Sequence, residues 1–305
     1  MTNLLQALLS GLALGGIYAL VALGFSITHT TTRTPNFGQG EFLVAGAFVG
    51  VGALLLLAGK GVTGVLAPAD VTPLRFTLAL LVVVVAIGAL GALLYATAVR
   101  PFFGMAGMAW VMSTIGFGII VQNGALAVWG AASVAVPSPL GDDVIRIAGA
   151  GMRAQEILVI VVTAAVMLGL DHLLRRTRIG KAVRAVAANP QAAALMGIHV
   201  GAIVVLAFVL SSSLAGLAGL LIAPITTASV FMGLAIALKA FSAAIVGGLS
   251  NPRGCIAGGF ALGLIEALVG LWRAELREIA IFGLIIVVLA FRPEGLFGRK
   301  TVEKV

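Results

Sequence analysis

The chain has 305 residues, 61% of them hydrophobic and only 10% charged, with a net charge of +8. Soluble domains are usually about 25% charged, so there is too little polar surface here to face water. The mean hydropathy of +1.17 instead defines an integral membrane protein. The basic balance is the positive-inside excess of cytoplasmic loops, because no basic region outside the apolar runs is long enough to bind nucleic acid.

The first apolar run, Leu4 to Ile27, lacks a positive n-region and a cleavage motif, so it is read as a retained span. Gly11 and Gly15 give it a GxxxG face for helix contact. A polar break follows at His29 to Thr34, then NFGQGEFLVAGAFVG, where the apolar run resumes at once and continues to Ala58. Gly38 and Gly40 mark a helix break between Asn36, Gln39 and Glu41. Irregular backbone at membrane depth is tolerated only where protein covers it or where it lines a cavity. An acid there is a functional candidate by default. Glu41 therefore has two readings, a path-lining acid or an interfacial one that helps start the helix.

Lys60 to Arg75 is a loop, and Leu74 to Val99 is the third span, stopped by Arg100-Pro101. After a Gly- and Met-rich turn the fourth span runs from Ala109 to Trp129, with Gln122 and Asn123 placed to bridge helices. Gly130 to Glu156 is the longest polar loop, holding Asp142, Asp143, Arg146 and Arg153; its mixed charge suits the external side. The fifth span is Ile157 to Leu174.

Residues 175–199, RRTRIGKAVRAVAANPQAAALMGIH, carry five basic residues and no acid. Charge places this segment in the cytoplasm. Asn189 is a good N-cap, Pro190 fits the first helical position and Gly197 suits the residue past a helix end. The segment is predicted to form two short capped helices, either docking a cytoplasmic partner or resting as a basic element on anionic lipid.

The sixth span, Val200 to Ala223, includes SSSLAGLAGL, a small-residue contact face. The seventh, Phe231 to Leu249, contains Lys239; the eighth, Cys255 to Trp272, contains Glu266; the ninth is Ile279 to Phe291. Glycines recur around the turn before the eighth span, and Gly247, Gly248, Pro252 and Gly254 form a second break that weakly echoes the first. The basic tail from Arg292 belongs in the cytoplasm. The fold class is an all-α polytopic membrane protein, a bundle of about eight to ten transmembrane helices with discontinuous helices. Cys255 is the one cysteine, and the three His do not cluster with it, so no metal site is readable.

Several stretches together are diagnostic: GLALGGIYALVALGFSI, NFGQGEF, RIGKAVRAVAANPQAAALMGI, KAFSAAIVGGLSNPRGCIAGGFALGLIEAL and RPEGLFGR. On these the chain resembles the permease subunits of the branched-chain amino acid ABC importers, in particular the shorter of the two that pair. Gln39 departs from the family, which usually has His there, and Asn189-Pro190 stands where acidic residues are commoner.

The resemblance implies one transmembrane permease domain over residues 1–305 in the bacterial inner membrane. Its partners would be a second permease, two ATP-binding subunits and an external solute-binding protein. The chain itself would be no enzyme and would bind no cofactor, ATP being held by the partners. It has no GxxxxGK[ST] stretch. Within 175–199 the short helices would be coupling helices seated in the ATPase, with Gly180, Arg184, Ala185, Ala188, Asn189 and Gly197 as their residues and Arg184 pairing with an acidic rim.

The translocation path is placed near Asn36, Gln39, Glu41 and Lys239. Glu41 and Lys239 would complement a zwitterionic solute or pair with each other when the path is empty, since a lone charge costs about 2.5–3.5 kcal/mol in the bilayer centre. A permease for urea, short amides or aromatic acids and a stand-alone ion-coupled carrier are the alternative functions.

Overall fold

The computed structural model describes residues 2–102, 109–141, 143–147 and 149–298. The chain is a helix bundle: α1 (Thr2–Thr32), α2 (Gln39–Leu57), α3 (Pro73–Leu94), α4 (Ala109–Trp129), α5 (Ala154–Arg176), α6 (Arg178–Ala188), α7 (Pro190–Leu195), α8 (Val200–Thr226), α9 (Met232–Gly247), α10 (Pro252–Trp272) and α11 (Leu276–Phe291). Among the described residues seven helices, α1 to α5, α8 and α10, are long and apolar enough to cross a membrane. α9 and α11 have 16 residues each. At 1.5 Å per residue they reach about 24 Å, short of the roughly 30 Å hydrocarbon core. With seven such helices, the expected eight to ten spans are reached when at least one of these two also crosses.

α1 is the central helix. Its residues Ile17 to Leu23 are 0–3% exposed, enclosed by α5, α8, α9 and α10. Small residues let these helices meet closely. A Cβ on Gly15 would stand 2.9 Å from the Phe260 Cα of α10, which confirms the expected contact face. Gly46 of α2 meets Gly216 of α8 backbone to backbone. The outward faces of α3, α4 and α11 carry exposed Val85, Ile120 and Ile286, an apolar exterior suited to lipid.

Three stretches differ from the sequence expectation. α1 continues to Thr32 through the supposed polar break, because Thr28, Thr31 and Thr32 hydroxyls donate to carbonyls one turn back at 2.8–3.1 Å. Their polarity is absorbed within the helix. The third span loosens at Tyr95–Val99 into a wider π-turn before Pro101, which lacks an N–H to continue the ladder.

The long polar loop is also structured. β1 (Val144–Ile147) and β2 (Ala150–Arg153) form an antiparallel hairpin with Val144 opposite Arg153. Upstream, Val134 and Ala228 exchange two backbone hydrogen bonds at 2.8 Å, tying this connection to the α8–α9 turn. Asp142 and the Gly- and Met-rich turn at 103–108 lie outside the described residues.

Candidate functional site

The break between α1 and α2 is built by its own side chains. Arg33 takes a left-handed φ of 62° and ends α1. Asn36 Oδ1 accepts from the Gly38 N–H at 3.1 Å, turning the chain into α2. Gln39 then reaches across the bundle: its Nε2 donates to the Ser211 carbonyl of α8 at 3.0 Å. Ser211 Oγ lies 2.9 Å from the Gly24 carbonyl and 3.0 Å from Gln39 Oε1, either of which accepts its proton. Asn36, Gln39 and Ser211 are at most 1% exposed. Three helices are thus joined through a buried polar network whose members satisfy one another. Gly24 has no side chain where one would strike Gln39 Nε2.

Glu41 stands two residues further on and points toward α4, where a Cβ on Gly118 would lie 3.0 Å from its Cγ. Its Oε2 is buried without a hydrogen-bond partner. Gly40 brings α2 against α9, its Cβ position 2.8 Å from the Gly233 carbonyl.

The expected pairing of Glu41 with Lys239 is not formed. Lys239 Nζ of α9 donates to Glu266 Oε1 of α10 at 2.7 Å, and Tyr18 OH of α1 donates to Glu266 Oε2 at 2.7 Å. Glu266 wins the lysine because α9 and α10 are packed neighbours and Tyr18 satisfies its second oxygen. Glu266 also lines a cavity of about 520 Å³ together with Ser10, Arg153, Glu156 and Arg277. Tyr18 escaped the sequence reading, its signal being a tyrosine amid apolar residues, and Ser211 was read only as part of a small-residue contact face. Of the amide pair in α4, Gln122 bridges to the Val230 carbonyl at 3.2 Å, whereas Asn123 bonds only its own helix.

The cytoplasmic segment folds as the two predicted helices. Asn189 Oδ1 accepts from the Ala192 N–H at 3.0 Å, Pro190 is the first residue of α7, and Gly197 has φ +82°. Thr177 caps α6 by accepting from the Gly180 N–H at 3.1 Å.

Two residues of α6 contact the end of α5. Gly180 is buried against the Leu173 and Leu174 carbonyls of α5, with no room for a side chain. Arg184 is exposed on α6 and donates to the Leu174 carbonyl, capping the end of α5. Ala188 and Asn189 are exposed and Ala185 is half-buried. At the end of α7 two apolar side chains stand outward: Leu195 is 89% and Met196 83% exposed. Their position at the end of a capped helix was the signal that sequence reading passed over.

At the second break Gly247 and Gly254 touch backbone to backbone, Gly248 has φ +94°, and Pro252 starts α10. The tail closes over this turn through Leu296 N–H to the Val246 carbonyl at 2.8 Å and Asn251 Nδ2 to the Phe297 carbonyl at 3.0 Å.

A bundle that buries a polar helix break, keeps an acid unpaired between two spans and exposes the apolar end of a short capped helix has the parts of a multi-pass membrane permease. Across residues 7–289 the chain matches the family described as branched-chain amino acid transport system, permease component, and it belongs to that family. It is 32% identical over 99% of its length to the high-affinity branched-chain amino acid transport system permease protein BraD of Pseudomonas aeruginosa, covering 98% of that protein. It is 30% identical to the LivH permease protein of Escherichia coli, again over 99% of this chain and 97% of that one. A probable LivH permease of Methanocaldococcus jannaschii is 28% identical over 92% of this chain and 89% of its own length. The chain is therefore a transport permease of the bacterial inner membrane.

Proposed function

We propose that this chain is the permease subunit of an ATP-driven importer and forms the translocation path for branched-chain and other hydrophobic amino acids. A second permease, two ATP-binding subunits and an extracytoplasmic solute-binding protein complete the assembly. The names of the relatives support the solute class. The chain does no chemistry and holds no cofactor; ATP is bound and hydrolysed by the partners.

The observation that carries the path is Glu41, an acid between α2 and α4 with one oxygen buried and unpartnered. An intramembrane acid without a partner is available to a solute ammonium. Asn36 and Gln39 hold the break that presents it. Lys239 joins the path when its pair with Glu266 opens, offering its ammonium to the solute carboxylate. Drive enters through α6 and α7, with Leu195 and Met196 seated in a groove of the ATPase and Asn189, Ala188 and Gly197 shaping the surface around them. Gly180, Ala185 and Arg184 transmit the movement to α5.

The test is to purify the tagged chain from its native membrane with its bound proteins, reconstitute them, and follow uptake of labelled leucine. Two ATP-binding proteins, a second permease and ATP-dependent uptake are expected. Glutamate at both Leu195 and Met196 is expected to abolish uptake and to release the ATP-binding proteins. Uptake driven by an ion gradient in the absence of ATP-binding proteins overturns the reading in favour of a stand-alone carrier.

A further inference from the structure

Where α5 ends, α10 begins and α6 lies across them, four arginines surround one carboxylate. Asp171 accepts a two-toothed contact from Arg253, Nε at 2.9 Å and Nη2 at 3.0 Å, and forms an ion pair with Arg175, whose Nε lies 3.1 Å away. Arg176 and Arg184 complete the ring, with His172 beside them. Asp171 is the only carboxylate lining this hollow among the described residues. The guanidinium groups are accessible, the Arg175 and Arg253 side chains being 54% and 58% exposed.

Beneath the arginines the hollow continues into a narrower cavity of about 260 Å³ between α1, α5 and α10, floored by Leu23, Ile27, Met167 and Ile256. Asp171, Arg175, Arg184 and Arg253 line both spaces, so the cationic mouth and the apolar depth are continuous.

We propose that this is a binding site for an anionic phospholipid of the inner leaflet. The phosphate sits among Arg175, Arg176, Arg184 and Arg253, and an acyl chain enters the cavity below. Guanidinium forks match phosphate oxygens geometrically, and basic pockets between spans on the cytoplasmic side suit anionic headgroups. A free phosphate satisfies the same arginines but leaves the apolar cavity unfilled, whereas the acyl chain of a phospholipid fits its apolar lining. The occupant would bridge α5, α6 and α10, which locates it behind the docking element and apart from its exposed apolar end.

The experiment is native mass spectrometry and thermal melting of the purified, delipidated permease with its bound subunits. It is titrated with phosphatidylglycerol, with phosphatidylcholine, and with inorganic phosphate. Phosphatidylglycerol is expected to be retained and to raise the melting temperature, with phosphatidylcholine and inorganic phosphate having little effect. The double variant Arg175→Gln, Arg176→Gln is expected to weaken phosphatidylglycerol retention on the order of tenfold or more. Ile256→Trp fills the cavity and is expected to weaken retention while leaving every arginine in place. Equal retention of the two lipids overturns the proposal. Stabilisation by inorganic phosphate alone assigns the site to a free anion and equally overturns it. Retention unchanged in both variants places the lipid elsewhere.

Discussion

Lys239 and Glu266 are joined at 2.7 Å across α9 and α10, and Tyr18 of α1 holds the second carboxylate oxygen at the same distance. One acid thus ties three helices together inside the bundle. Breaking a buried pair by removing one partner leaves an uncompensated charge and costs about 3–5 kcal/mol. Lys239→Met alone and Glu266→Leu alone are both expected to lower the melting temperature in detergent sharply. The double variant is expected to recover much of the loss, and a double-mutant cycle on melting midpoints checks the coupling.

Glu41 behaves oppositely. Its Oε2 has no partner to lose, so Glu41→Gln is expected to leave folding and melting unchanged while reducing solute uptake at least tenfold. Unchanged uptake with unchanged stability removes Glu41 from the path.

The Gln39 network sets a third expectation. Gln39→Leu strips the Ser211 carbonyl and the Asn36 amide of a buried partner. Orphaned buried polar groups cost about 1–3 kcal/mol each. Gly24→Ala is expected to be similarly damaging, because its methyl group meets Gln39 Nε2. Yield of monodisperse protein after extraction measures both.

Asn189→Ala removes the α7 cap, a change typically worth about 0.5–2 kcal/mol. With α7 only six residues long, the loss falls on the docking element and not on the spans. ATP-driven uptake is expected to fall while the melting temperature of the bundle stays put. Asn189→Asp, which caps equally well, is expected to restore uptake.

The loop between α2 and α3 carries a pH dependence of definite sign. The Lys60 ammonium, and after it the Ala67 N–H, hold the Asp70 carboxyl below its ordinary value. A lowered folded value means that the clasp contributes fully above the ordinary carboxylate value and is lost only as pH falls through the lowered one. Limited proteolysis of this loop is expected to be equally slow at neutral and mildly acidic pH. Asp70→Asn is expected to be cut faster at both.

Local signals were legible in the sequence, and pairings across the bundle were not. Asn189, Pro190 and Gly197 define α7 through their own backbone preferences, so neighbours three residues away suffice. Glu41 and Glu266 are both acids in apolar runs, and nothing local says which of them takes Lys239. That choice belongs to the packing of α9 on α10 and to the distant Tyr18. Arg184 posed the same difficulty. On a basic amphipathic helix it reads as outward-facing, but the end of α5 leaves a carbonyl within its reach. The threonines closing α1 misled for the reverse reason, since a polar side chain that bonds its own helix is invisible as helix in a hydropathy pattern.

The backbone exchange between Val134 and Ala228 links two connections that are far apart in the sequence. Residue 134 follows α4 and residue 228 joins α8 to α9, the helix that carries Lys239. The stretch leading to the hairpin is thus fastened by main-chain hydrogen bonds, which no side-chain substitution short of proline can remove, to the turn from which the Lys239 helix starts.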